Sequence, residues 1–196
     1  MVNNFYQKKI MHGIICIETE WQVTKKKNRL TLNSEPLLRY VSEMYQIPYF
    51  YRRVATKSEL SYYLKQFSKK EYEAYDVFYF NFHGDTQRIH LEGEKEDLSL
   101  KELAEMSNGL FKNRYIHFSS CRTLLGSDVT LEQFKNDSRA RVVSGYTKSV
   151  NSDLSALLDL ALFGEYFTHK QIPTIFSNLE TRFQGLKKEL GFKVLK

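Results

Sequence analysis

The sequence predicts an α/β fold built around a mostly parallel β-sheet. Apolar segments of strand length alternate along the chain with amphipathic segments of helix length. The intervening helices, at about 10–15 residues, are long enough to make the right-handed crossovers that join parallel strands. No repeat, low-complexity tract or Pro/Gly-rich linker interrupts this alternation, so we predict one domain over residues 1–196.

Three strands and two helices are predicted in the first half of the chain. Gly13–Glu18 is a continuous apolar run, which is typical of a central strand covered on both faces. Tyr49–Ala55 and Asp76–Phe82 are predicted as the second and third strands. The helices Ser34–Tyr45 and Thr56–Phe67 connect them, because apolar residues recur there at helical spacing behind a Ser or Thr that can cap the first turn.

The second half continues the same pattern. Two strands are predicted at Tyr115–Ser120 and Arg141–Gly145, and a terminal strand at Phe192–Leu195. A short hairpin is predicted over Arg88–Leu91 and Glu94–Leu98. Helices are predicted in four segments: Leu100–Phe111, Leu131–Asn136, Leu154–Phe167 and Ile175–Leu190. In a parallel sheet, functional groups collect at the carboxyl ends of the strands, where the connecting loops open a crevice.

The chain carries a modest basic excess of +6, from 29 Lys and Arg against 23 Asp and Glu. The basic clusters are short: Lys25–Lys27, Lys69–Lys70 and Lys187–Lys188. None forms a long basic stripe or a nucleic-acid-binding motif, so a solvated basic surface is the favoured interpretation. Nucleic-acid binding remains an alternative that only the charge supports, and steep weakening by salt would be its signature.

Cysteine content and hydropathy predict a cytoplasmic protein that does not enter a membrane. Cys16 and Cys121 are too few for a disulfide scaffold, and no secretory signal opens the sequence. The longest apolar stretch, Leu154–Phe163, is broken by Asp159 and is too short to span a bilayer. In a reducing cytoplasm a single well-placed cysteine remains a free thiol.

Two predicted strand ends carry the residues of a nucleophilic site. The third strand runs into His83 and Gly84, and the next long strand runs into Cys121. If the two strands are neighbours, imidazole and thiol share one edge of the sheet, where the imidazole can take the thiol proton and return it to a leaving amine. A glycine after the histidine lets a backbone N–H approach a developing oxyanion, and the Cys121 N–H is a second candidate donor.

Other chemistry-bearing residues are interpreted as structural. Cys16 lies within an apolar run and is predicted to be a core residue. Zinc-ligand types occur at His83, Asp85, His90 and Cys121, but no paired spacing fixes them, so no metal or cofactor is predicted. The sequence has no Gly-x-Ser-x-Gly elbow, phosphate-binding loop or dinucleotide fingerprint. The other histidines stand outside any motif and are assigned structural roles: His12, His90, His117 and His169.

Strand-His-Gly followed by a crossover and strand-small-Cys resembles the caspase-like (clan CD) cysteine peptidases. The chain looks most similar to short bacterial CHAT-like proteins. Four motifs carry the resemblance: IICIETEW (Ile14–Trp21), FHGD (Phe82–Asp85), HFSSCRTLLG (His117–Gly126) and RVVSGYTKSV (Arg141–Val150). The chain departs from the family at Ser119, where some relatives carry Gly, and at Ser120, where many carry Ala. The Gln-Ala pair that precedes the cysteine in caspases is absent.

The resemblance implies a three-layer fold with a six-stranded sheet of order 2-1-3-4-5-6 and helices on both faces. It implies that His83 is the catalytic histidine, that Cys121 is the nucleophile, and that the amides of Gly84 and Cys121 form the oxyanion hole. It also implies that the loops after the first and fifth strands, together with residues before the motif cysteine, supply a substrate pocket. The candidates are Glu18, Glu20, Trp21, Ser119, Ser144, Tyr146 and Asp153.

An acidic residue in that pocket would favour a basic side chain before the scissile bond (P1). The alternative is that Asp153 caps a helix, as Asn151 or Ser152 also can, and that Glu18 and Glu20 are solvated.

We therefore expect a cytoplasmic endopeptidase that cleaves protein or peptide substrates. The segment of about 20 residues between Cys121 and the fifth strand leaves little room for a linker that is cut on maturation, which predicts a single-chain enzyme. The resemblance suggests an effector of bacterial stress or antiphage defence that is activated by a small-molecule signal or a protein partner. The alternative is a catalytically silent CHAT-like binding or scaffold module.

Overall fold

A computed structural model describes residues 13–20 and 33–196 of the chain. The expectations for His12, Trp21 and Lys25–Lys27 lie outside the described residues. In chain order the described elements are β1 (Ile14–Thr19), α1 (Glu35–Tyr45), β2 (Tyr49–Val54), α2 (Lys57–Phe67), a 3-10 turn (Lys70–Tyr72), β3 (Val77–Asn81), β4 (His83–Asp85), β5 (Arg88–His90), β6 (Leu98–Ser99), α3 (Leu100–Ser107), β7 (Tyr115–Phe118), α4 (Asp128–Ser138), β8 (Val142–Tyr146), α5 (Ser152–Thr168), α6 (Ile172–Leu190) and β9 (Phe192–Leu195).

Six of these strands form one sheet of order β2-β1-β3-β7-β8-β9. The first five strands of that order pair in parallel, and β9 pairs antiparallel with β8. Counting only the strands of this sheet, the order is 2-1-3-4-5-6, so the predicted topology is confirmed. The order reverses between β1 and β3, and in open parallel sheets such a reversal opens a crevice at the carboxyl ends of the strands.

Both faces of the sheet are covered by helices, because its strands are apolar on both sides. Along β1, Ile15 and Ile17 pack into the core that contains α2, α3 and α4. Ile14 and Cys16 alternate with them and pack into the opposite core, which contains α1, α5 and α6. Continuous burial of the central strands therefore follows from two separate helix layers, as the apolar run predicted.

A second, three-stranded antiparallel sheet of order β4-β5-β6 stands at the end of β3. The predicted hairpin is therefore correct only in part. Arg88–His90 forms a strand, but the predicted strand Glu94–Leu98 is wrong, because only Leu98 and Ser99 pair. The partner of β5 is His83–Asp85 instead, a polar segment without the apolar alternation that marks a strand.

Helix ends differ from the prediction where local conformation stops or starts the helix. The helix predicted to reach Phe111 ends at Ser107, because Asn108 is left-handed with φ 45° and Gly109 follows with φ 82°. The last helix begins at Ile172, since Pro173 suits its first turn. Among the described residues, none of the helices has the length and apolar character needed to cross a bilayer.

Candidate active site

The ends of β3 and β7 run side by side beyond their last paired residues. Phe80 pairs with Phe118 in the sheet, and the Ser119 N–H then donates to the Phe80 carbonyl oxygen at 2.8 Å. One step further, the Phe82 N–H donates to the Ser120 hydroxyl at 3.3 Å. These bonds carry the two segments together to His83 and Cys121, as the sequence predicted from neighbouring strand ends.

Gly84 packs directly on the backbone of the cysteine turn. A Cβ atom at Gly84 would lie less than 3.0 Å from the Cys121 carbonyl oxygen and from the Thr123 hydroxyl, distances that real Cβ atoms do not show. Glycine is therefore required here by close approach of two backbones, not by a positive φ. The contact places the main chain of the His83-Gly84 segment against the residue predicted to be the nucleophile.

The turn that carries Cys121 is fixed by main-chain hydrogen bonds to the strand beyond it. Arg122 adopts a left-handed conformation with φ 55°. Its N–H donates to the Lys148 carbonyl oxygen at 2.9 Å, and the Leu124 N–H donates to the Tyr146 carbonyl oxygen at 2.9 Å. The turn is therefore bonded to β8 and to the residues that follow it. These bonds hold the cysteine at the carboxyl edge of the sheet.

The Cys121 sulfur is half-buried and accepts a hydrogen bond. The Val150 N–H donates to Cys121 Sγ at 3.3 Å, which fixes the sulfur at the edge of the cavity. The second cysteine has a different environment. Cys16 is fully buried, and this burial, together with the nearby charges of Glu18 and Asp159, raises the pKa of its thiol. Cys121 is thus the cysteine suited to react, and Cys16 is a core residue as predicted.

His83 is exposed at the first position of β4 and stands opposite His90 on β5. The two ring centroids are 6.5 Å apart. Partial desolvation and the neighbouring His90 lower the pKa of His83, whereas Glu92 opposes the change. The imidazole is therefore neutral, and able to accept a proton, at a lower pH than an ordinary histidine.

His83 and Cys121 line the same cavity of about 410 Å³. The floor and walls combine apolar and small polar side chains, namely Asn33, Ser34, Leu37, Tyr79, Asn81, Phe82, Ser119, Val150, Ser152, Asp153, Ser155 and Ala156. Its volume is in the range of small-ligand and side-chain pockets. Two of the predicted substrate-pocket residues, Ser119 and Asp153, belong to this lining.

Asp153 does not cap the helix whose first turn it occupies. The cap of α5 is Asn151, whose side-chain oxygen accepts from the N–H groups of Asp153 and Leu154 at 2.8 and 3.2 Å. The Asp153 carboxylate is exposed and lies in the cavity wall. The sequence left open whether Asp153 is a pocket acid or a helix cap. Asn151 caps the helix, and Asp153 faces the cavity.

The predicted pocket acids Glu18 and Glu20 do not line the cavity. Glu18 is fully buried behind it and accepts from Ser34 Oγ at 2.9 Å, Asn81 Nδ2 at 3.1 Å and Arg53 Nε at 3.3 Å, with a further bond from Tyr51. Its charge is thus paired and hydrogen-bonded. Its role is to hold the cavity residues Ser34 and Asn81. The prediction that it is a solvated or substrate-binding acid is wrong.

A carboxylate oxygen of Glu20 lies 3.7 Å from Nη1 of the Arg53 guanidinium, which also contacts Glu18. Glu20 is therefore the outer acid of the pair formed with Arg53, outside the cavity lining.

The prediction that Ser144 and Tyr146 belong to the substrate pocket is wrong as well. Both are fully buried on β8, on the side of the sheet that faces α5. The Ser144 hydroxyl lies 2.9 Å from His117 Nδ1, and the Tyr146 hydroxyl donates to Asp159. A position near the carboxyl end of a strand does not by itself place a side chain in the crevice, because side chains alternate between the two faces.

These side chains belong to a buried polar cluster, here called the Asp159 cluster, beneath the cavity floor. Asp159 Oδ1 lies 2.6 Å from His117 Nε2, and the Tyr79 hydroxyl donates to Asp159 Oδ2 at 2.8 Å. Burial would raise the pKa of Asp159, but His117 and hydrogen bonds from Ser119 and Tyr146 hold it below its usual range. His117 is structural, as predicted, and Tyr79 connects the cluster to the cavity.

A family model matches residues 11–195 of the chain. The chain belongs to DUF6642, a family of unknown function. No curated protein matches it. The matched range of this DUF6642 member contains every cavity residue named above, so the site belongs to the part of the chain that defines the family.

Two features of the site in this DUF6642 chain were not predicted. His90 on β5 pairs with His83 on β4. This pairing could not be predicted because β4 lacks the apolar alternation that marks a strand. The contact with the Cys121 sulfur comes from the backbone N–H of Val150, so the side-chain type at position 150 could not predict this contact. Within residues 13–20 and 33–196, His, Cys, Asp and Glu side chains do not gather in groups of three or more that could hold a metal ion.

Proposed function

We propose that this chain is a caspase-like cysteine endopeptidase in which His83 and Cys121 form the catalytic dyad. The observation that carries the proposal is that both side chains line one cavity at the carboxyl edge of the sheet, with Gly84 packed on the Cys121 backbone. The strand order 2-1-3-4-5-6 and the two helix layers agree with what the resemblance to caspase-like peptidases implies, and they support the same assignment.

The proposed reaction gives a role to each residue of the dyad and to the two backbone amides that the resemblance implies. His83 takes the thiol proton as Cys121 Sγ attacks the scissile carbonyl carbon, and the backbone amides of Gly84 and Cys121 donate to the resulting oxyanion. The His83 imidazolium then gives its proton to the leaving amine, which leaves a thioester on Cys121. Water, deprotonated by His83, attacks the thioester and releases the carboxylic acid product and the free thiol.

The cavity favours a substrate with a basic P1 side chain. Among the described residues that line the cavity, Asp153 is the single Asp or Glu, and none of them is Lys or Arg. The aliphatic and aromatic parts of Leu37, Tyr79 and Val150 suit the methylene stem of a lysine or arginine, while the carboxylate pairs with its charged end.

We further propose that the enzyme works as a single cytoplasmic chain. Helix α4 (Asp128–Ser138) occupies the segment between the cysteine turn and β8, and cleavage there is not needed to form the dyad. In this proposal a small-molecule signal or a protein partner activates the enzyme as an effector of bacterial stress or antiphage defence. Cleavage within α4 during activation would refute the single-chain part.

A peptide-based thiol-reactive probe with lysine or arginine at P1 tests the dyad. We expect the probe to label Cys121 in the wild type, and labelling to be lost in Cys121→Ala and in His83→Ala. The matched control is Cys16→Ala, which removes the other cysteine and leaves labelling unchanged. Mass spectrometry of the labelled peptide identifies the modified residue, and circular dichroism verifies that each variant is folded.

Two results would contradict the proposal. One is labelling of folded His83→Ala at the wild-type rate, and the other is labelling of Cys16 as fast as Cys121. A folded protein whose Cys121 reacts with a small alkylating reagent at the rate of an ordinary thiol, and never with peptide probes, would indicate the catalytically silent binding or scaffold module instead.

A further inference from the structure

A second histidine stands next to the histidine of the dyad. His90 is the cross-strand partner of His83 in the β4–β5 pair, and the ring centroids are 6.5 Å apart. His90 is in turn held by Asp97, whose Oδ1 atom lies 3.0 Å from His90 Nδ1. Both side chains of this pair are about one-third exposed. The small antiparallel sheet therefore holds the second imidazole at a fixed place beside the first.

The charged groups around His83 act in opposite directions. Partial burial is the largest cause that lowers the pKa of His83, the neighbouring His90 lowers it further, and Glu92, just beyond β5, raises it. Asp85, two residues along β4, is paired with Arg122 at 3.4 Å. Across the cavity stands Asp153. Among the groups that act on the His83 pKa, His90 is the one that lowers it, and its position is fixed by the Asp97 carboxylate.

We propose that His90, held by Asp97 and facing His83 across the β4–β5 pair, is a positioning residue for His83 as the proton acceptor for Cys121. This inference rests on the proposed function. A neutral His83 is ready to take the thiol proton, and once protonated it gives the proton up to the leaving amine more readily because His90 lowers the His83 pKa. The histidine pair thereby suits an imidazole that carries a proton only during the attack.

NMR titration of the histidine ring C–H signals tests this coupling without any substrate. The His83 signal is assigned by its loss in His83→Ala. In His90→Asn we expect the His83 titration midpoint to move to higher pH, because a group that lowers the His83 pKa is gone. In His90→Lys, which places a permanent cation there, we expect a midpoint at or below that of the wild type. The control is His169→Asn, at the opposite end of α5 from the cavity, where the midpoint does not move.

The proposal is overturned if the midpoint in folded His90→Asn stays or falls, or if His90→Lys shifts it as His90→Asn does. His90→Gln is the second removal variant if His90→Asn does not fold. In the probe-labelling assay, the acid limb of the rate should move in the same direction as the midpoint. Labelling that is independent of His83 would refute the peptidase, and the NMR result separates that failure from failure of the His83–His90 coupling.

Discussion

Replacing Asp159 with alanine tests whether the Asp159 cluster stabilises the wall of the cavity. The side chain is fully buried and serves four partners at once: His117, Tyr79, Tyr146 and Ser119. The substitution removes the shared acceptor and leaves polar groups of the partners inside the core. Tyr146 keeps a bond from its hydroxyl to the Ser155 carbonyl oxygen at 3.3 Å, so His117 and Tyr79 are the groups most affected.

The expected loss of stability is about 4 kcal/mol. Two buried groups that lose a hydrogen-bond partner, His117 and Tyr79, cost about 1–3 kcal/mol each, and the middle of that range gives this total. For a chain of 196 residues the entropy of unfolding is about 0.4 kcal/mol per kelvin, so the melting temperature should fall by about 10 °C.

Thermal and urea unfolding followed by circular dichroism measure this loss. The matched control is Leu157→Ala on the same helix, where the leucine is 57% exposed and the expected change is within about 0.5 kcal/mol. Asp159→Asn keeps an acceptor oxygen of similar size and should fall between the two. A melting temperature for Asp159→Ala within about 2 °C of the Leu157→Ala value would refute the reasoning.

The pH dependence of the free energy of unfolding gives a second check of the role of Asp159. The folded-state pKa of Asp159 is held below its ordinary value, so its contribution to stability is present above about pH 4 and is lost as the pH falls through that lowered pKa. The stability difference between wild type and Asp159→Ala should therefore narrow in acid and not in mild base.

Four further predictions concern the dyad and its cavity. Gly84→Ala should slow probe labelling of Cys121 by about 100-fold through displacement of the cysteine turn, whereas Gly185→Ala, which has open space around it, should not; equal rates would show that the contact is unimportant. The acid limb of labelling should have its midpoint below pH 6.5, the ordinary value for histidine, because the pKa of His83 is lowered; a midpoint above that value would contradict its role as the base. Asp153→Asn should lower kcat/KM for lysine or arginine at P1 by about ten-fold and leave uncharged P1 substrates unaffected; an equal loss for both would remove Asp153 from substrate selection. Cys16 should resist alkylation in the native protein and react only after denaturation, as peptide mapping at each urea concentration would reveal.

The fold was largely predictable because the central strands are buried on both faces. Continuous apolar runs mark β1 and β3, and helical spacing marks the segments between the strands. The three-stranded sheet was harder to predict. Its strand His83–Asp85 is short, polar and mostly exposed, so its structure comes from pairing with β5 and not from any local preference.

The candidate site was predictable at the level of strand ends and not at the level of side-chain direction. The carboxyl-end rule located His83 and Cys121, which line the cavity. It failed for Ser144 and Tyr146, because a strand sends alternate side chains to opposite faces and the sequence does not say which face meets the crevice. It failed for Glu18, whose charge is compensated by Arg53, 35 positions along the chain, on the neighbouring strand.

The anchors of the cysteine turn are carbonyl oxygens, and this has a consequence for how such a site tolerates change. Lys148 contributes its carbonyl group to the turn through the bond from Arg122, while its side chain reaches out to the carbonyl oxygen of Lys188. Any residue with the same backbone conformation supplies an equivalent carbonyl. The side chains of Arg122 and Lys148 can therefore be replaced to suit different partners, while the position of the Cys121 sulfur is kept.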